Sequence, residues 1–148
     1  SGTILTSSDG TTWTERTSGT PIILVGVTYG NGTFVTAGQH GTILTSSDGT
    51  TWTDRTNTNV TSNHLKGVTY GNGTFVIVGE SGTILTSSDG TTWVSRNSDQ
   101  SFTEEGLSGV AYGNSTFVTV GTSGNIFTSS DGSTWTSRAS GTSYQLNG

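Results

Sequence analysis

The chain has 148 residues, a formal net charge of −5, 28% apolar and 10% charged residues, and no cysteine. An acidic balance with only Arg16, Arg55, Lys66, Arg96 and Arg138, all dispersed, excludes the basic footprint that nucleic acid needs. No apolar run reaches membrane-spanning length, and without cysteine neither a disulfide nor a thiolate metal site can form.

In chain order, residues 6–13 (TSSDGTTW) are read as a turn between two short strands, so residues 1–16 form a strand pair, C and D. After a loop at 17–25, residues 26–35 (GVTYGNGTFV) are read as two strands, A and B, around an Asn-Gly turn that tolerates positive φ. A second SSDGTTW turn ends in Trp52, closing a four-stranded antiparallel unit at 26–55. The pattern recurs at 67–96 and 109–138, where the turns end in Trp93 and Trp135. The tryptophans are 39, 41 and 42 residues apart, and such a period indicates a stacked or radial β-architecture. In the unit 67–96 the predicted strands are 68–70, 74–78, 83–87 and 92–96. Strand TFVIV lacks polar alternation, so both of its faces should be covered, as in a propeller blade.

The SSDGTTW hairpin resembles the Asp-box (BNR-like) repeat of β-propellers in its shortened form, and the resemblance covers nearly the whole chain. It implies an all-β propeller of four-stranded antiparallel blades, about three and a half per chain. The family includes sialidases, sortilin-like receptors, assembly factors and lectins, so the resemblance implies fold more than function. Asp9, Asp48, Asp89 and Asp131 are expected to accept backbone N–H groups two or three residues ahead. Trp13, Trp52, Trp93 and Trp135 are expected to bury their rings between blades. Stacking of sugars on the four tryptophans is the competing reading, and a repeated position is explained more simply by packing.

No catalytic constellation emerges. Sialidases hold a carboxylate with clustered arginines on inner strands, whereas Arg16, Arg55, Arg96 and Arg138 fall on the outermost strand and read as edge cations. Glu104 and Glu105 are adjacent, so on an extended chain they point apart and cannot flank one glycosidic bond. His40 and His64 have no second histidine at metal-ligand spacing. No cofactor and no metal are expected. Tyr29, Tyr70 and Tyr112 read as core or channel wall, and the sequons at Asn31, Asn72 and Asn114 as turn chemistry; Asn59 begins a fourth.

Variation between units concentrates in the B–C turns and in the D–A loops at 17–25, 56–66 and 97–108, which open on one face of an up-down meander. A rigid scaffold with variable loops on one side is how binding surfaces are commonly built. The candidate ligand residues are therefore Gln39, His40, Asn63, His64, Glu80, Ser81, Glu104, Glu105 and Thr122. The expectation is a non-enzymatic recognition or adhesion module for a glycan or protein, secreted or at a cell surface. A self-assembling repeat scaffold is the alternative, recently amplified or designed and with no evolved ligand; a glycosidase ranks last.

The strand pairs do not close into whole blades. The chain begins mid-repeat without Met, and its tail 138–148 (RASGTSYQLNG) parallels 16–26, so a piece of a longer array or an oligomer through open blade edges is expected. The last blade is expected to expose Phe117, Ile126 or Phe127, and Trp135, which predicts at least a dimer.

Overall fold

A computed structural model describes residues 2–96 and 106–148. Its fourteen strands, in chain order, make one two-stranded and three four-stranded antiparallel sheets. The half blade holds β1 (Ile4–Thr6) and β2 (Thr14–Arg16). The first full blade is β3 (Leu24–Gly30), β4 (Thr33–Gly38), β5 (Ile43–Ser46) and β6 (Thr53–Asp54). The second is β7 (Leu65–Gly71), β8 (Thr74–Gly79), β9 (Ile84–Ser87) and β10 (Val94–Ser95). The third is β11 (Leu107–Gly113), β12 (Thr116–Gly121), β13 (Ile126–Ser129) and β14 (Thr136–Arg138). All are antiparallel up-and-down sheets, as the turn chemistry requires, and among the described residues they make three and a half blades of a β-propeller.

The innermost strands are longer than the expected 68–70 type because a register shift near their start, between Leu65 and Gly67 in the second blade, lets pairing continue past it. The outermost strands are shorter: Val94–Ser95 replaces the expected 92–96. The aspartate turn and the tryptophan that follows it take up the residues that would have extended the ladder.

Strand B of the second blade, β8, is covered on both sides, as its unbroken apolar run predicted, whereas Val118 of β12 in the third blade is exposed. Alternate residues face opposite neighbours, with period two. Phe75 and Ile77 pack with Val35, Ala37 and Ile43 of the preceding blade, and Trp93 and Leu85 join the same cluster. Val76 and Val78 turn the other way and meet Phe117, Phe127 and Trp135 of the next blade. Each blade therefore turns its large aromatics toward the blade before it and its small β-branched side chains toward the blade after.

This direction corrects two expectations about exposure. Phe117, Phe127 and Trp135 are buried, because they face the second blade rather than the open end. The uncovered aromatics are at the other end. Trp13 is 58% exposed and Trp52 only half-buried, against 7% for Trp93 and 5% for Trp135, because the half blade lacks the inner strands that cover this row elsewhere.

A knob and a socket also recur between blades. The ring of Tyr70 lies over Gly30 at the end of β3, and that of Tyr112 over Gly71 at the end of β7. Gly113, the third socket, has open space around it, and Tyr29, the first knob, is 57% exposed. Beside them the glycine row continues into the tail, where Gly148 lies against Gly109 as Gly109 lies against Gly67.

Candidate functional site

The four aspartate turns are built alike. Oδ1 of Asp89 accepts the backbone N–H of Thr91 at 2.8 Å and of Thr92 at 2.9 Å, while Oγ of Ser87 donates to the same oxygen at 2.9 Å. Asp9, Asp48 and Asp131 make the same set. The indole Nε1–H of Trp93 donates to the Gly90 carbonyl at 3.1 Å, fixing the ring to the turn. The N–H group three residues ahead, followed by the N–H and, at Asp48 and Asp89, the threonine side chain two residues ahead, lowers each of the four carboxyls below its ordinary value. These groups are committed to backbone structure and make poor proton donors.

The depressed carboxyls predict an acid limb. The turns contribute stability while the carboxyls are ionised, and the unfolded chain binds protons first, near the ordinary value of 3.8. The thermal midpoint should be flat with respect to these groups from about pH 7 to 5 and fall continuously below about pH 4. Melting curves across that range check this; Asp48→Asn, which cannot titrate, should flatten the acid slope.

The arginines do not converge. Each Nε donates to a threonine on the neighbouring strand of its own blade: Arg16 to Thr6 at 2.8 Å, Arg55 to Thr45 at 3.1 Å, Arg96 to Thr86 at 2.8 Å and Arg138 to Thr128 at 2.9 Å. They pin the outer strand, a role the WTxR position alone did not reveal. Tyr29, Tyr70 and Tyr112 pair with Phe34, Phe75 and Phe117 across strands at 4.5–4.6 Å between ring centroids, which is packing geometry.

The variable loops and turns do meet on one face. The backbone N–H of Gln39 donates to the Ile23 carbonyl at 3.0 Å and that of Gly41 to the Asn63 carbonyl at 2.8 Å, so this B–C turn is clipped between two successive D–A loops. The Glu80 N–H donates to His64 O, and the Thr122 N–H to Gly106 O, both at 2.9 Å. The side chains add cross-links. The His40 N–H donates to Nδ1 of His64 at 3.1 Å, and the two rings meet edge to face at 4.7 Å. Asn63 Nδ2 donates to Thr83 Oγ1 at 2.9 Å, and Lys66 Nζ lies 2.9 Å from Glu80 Oε1.

Gln39, His40, Asn63, His64 and Glu80 thus form one neighbourhood at the junction of the first two full blades. Ser81 sits in the turn beside it with φ +53°, matched by His40 at +55° and Ser123 at +56°. A non-glycine residue in this left-handed region three times over is strain held by the surrounding contacts. Thr122 belongs to a second junction, where a cavity of about 410 Å³ is lined by Lys66, Glu80, Thr122, Gln145 and Gly148 among others. Glu80 borders both, so the candidate residues run across three blade ends. Glu104 and Glu105 lie outside the described residues. Lys66 and Gln145 were missed; the length of the 56–66 loop and the parallel between tail and first loop were the signals for them. Among the described residues no group of three His, Asp or Glu converges as a metal site.

Comparison with known proteins bears on the fold. No family model matches the chain, and no curated protein matches it. Among solved structures, YCF48 bound to D1 peptide superposes with a TM-score of 0.67 at 21% identity over 80% of this chain and 40% of the other. YCF48 from Cyanidioschyzon merolae gives 0.68 at 21% identity over 83% and 42%. Both support the β-propeller, and the chain spans about two-fifths of their length.

Proposed function

We propose that the chain is a non-enzymatic recognition module that binds an extended polar segment of a protein partner across the face carrying His40, His64, Lys66, Glu80 and Thr122. The observation that carries the reading is the pre-arrangement of that face. Loops differing in length and chemistry are clipped by backbone hydrogen bonds to strained turns, so little ordering remains to oppose binding. One of the similar structures, YCF48, is described as bound to a D1 peptide, which favours a peptide over a glycan as the ligand class. The short turn carrying SSDGTTW is read as an Asp box in a purely structural role, and few charges with no cysteine suit an extracellular or cell-surface setting.

Screening an array of polar peptides and a glycan array against the immobilised chain tests the reading. Peptide ligands are expected in the micromolar range, weakened about tenfold or more by His64→Ala or by Lys66→Ala. Glycan hits alone, or peptide hits indifferent to both substitutions, would overturn it. The scaffold reading would leave loop exchange without consequence.

A further inference from the structure

We propose that His64 is a proton-controlled clasp of the loop face: its neutral ring locks the turn Gln39–Gly41 onto the loop at 56–66, and its imidazolium releases it. His64 is tied to two turns at once. Its carbonyl accepts the Glu80 N–H at 2.9 Å, and its ring nitrogen Nδ1 accepts the backbone N–H of His40 at 3.1 Å. The first bond belongs to the repeat. Ile23 and Gly106 hold the matching place before the inner strands of the first and third blades, and their carbonyls take the N–H groups of Gln39 and Thr122 in the same way. Isoleucine and glycine offer no side-chain acceptor, so the ring bond is an addition that the blade architecture does not require. The turn does not require a histidine either, because Ser81 and Ser123 occupy the place of His40 with nearly the same φ.

The added bond depends on charge. A neutral imidazole that accepts at Nδ1 carries its proton on Nε2, whereas the imidazolium carries protons on both nitrogens and sets two donors against each other. The rings of His40 and His64 meet edge to face with centroids 4.7 Å apart, which becomes a contact of like charges when both are protonated. The surroundings do not offset this. Lys66, two residues along the chain, is a further cation, and it already holds the Glu80 carboxylate at 2.9 Å. Residues 17–25 and 56–63 carry no charged side chain. His40 also sits at φ +55°, so the turn loses a bond where its backbone is strained. The clasp therefore closes at neutral pH and opens as the pH falls. The opening concerns the free chain; only its consequence for a ligand rests on the peptide-binding reading.

Nuclear magnetic resonance on the full chain tests this at about pH 8 and about pH 5, on either side of the range in which histidines change charge. At the higher pH the ring nitrogen shifts of His64 should show one tautomer, with the proton on Nε2. At the lower pH the protection of the His40 N–H against hydrogen exchange, taken relative to the Thr122 N–H of another junction, should fall about three- to tenfold. His64→Asn, whose amide oxygen takes the place of Nδ1 without titrating, should keep that N–H protected at both values. His64→Ala should leave it at the acid level throughout. Equal protection at the two pH values in the native chain would overturn the proposal, and so would a fall that persists in either variant. Where a peptide ligand is found, its affinity should drop between the two pH values in the native chain and not in His64→Asn. Absence of any peptide ligand would defeat the peptide reading and leave the exchange result to decide the clasp.

Discussion

Trp93→Ala should lower the unfolding free energy by about 3–5 kcal/mol, while Trp13→Ala should cost less than about 1 kcal/mol. Both residues end the same SSDGTTW segment, so local sequence and turn chemistry are held constant. The difference lies in packing. Trp93 is buried against Phe75 and shares a cluster with Val35, Ala37 and Ile43 of the blade before it. Among the described residues Trp13 has neither an inner strand in its own sheet nor a preceding sheet to pack on, and it is exposed. Removing a buried indole leaves a cavity in a close-packed interface; removing an exposed one leaves water where water already was. Urea unfolding of the two variants measures this, and equal losses would show that the turn rather than the interface sets the cost.

Gly71→Ala should destabilise by about 1–3 kcal/mol, whereas Gly113→Ala should be neutral or slightly stabilising. The two glycines end equivalent strands, and neither has positive φ, so backbone strain does not separate them. At Gly71 an added Cβ would fall on Cγ and both Cδ atoms of Tyr112, the root of the ring rather than a flexible tip. The ring would have to leave its socket, loosening the junction between the second and third blades. At Gly113 no atom lies within 4 Å. Thermal melts of the two variants decide; a Gly113→Ala variant as unstable as Gly71→Ala would mean that strand geometry, not the tyrosine, demands glycine there.

The blades were legible because their signals are local. Asp-Gly and Asn-Gly turns at fixed offsets, a buried strand B and a recurring tryptophan specify a meander without long-range information. Which neighbour each side chain faces was not legible. Period two separates Phe75 from Val76 but does not say which of them looks toward the preceding blade, so burial was expected for Trp13 and exposure for Trp135. The site was legible as a face and not as a constellation. His40 and His64 lie 24 residues apart, on a turn and a loop of different blades, and no spacing rule joins them. The loop-to-turn hydrogen bonds that hold them depend on backbone groups, which sequence does not distinguish.

The aromatic rows give the stack a polarity, and polarity matters most while the chain is being made. The second and third full blades, as they emerge from the ribosome, carry their Tyr, Phe and Trp toward a blade already synthesised, so their largest apolar surface meets a template made before it. What each leaves waiting for its successor is a lining of Val, Ala, Ile and Thr that carries no aromatic ring. A chain of opposite polarity would hold every aromatic row exposed through the synthesis of about 40 further residues, several seconds at ordinary elongation rates.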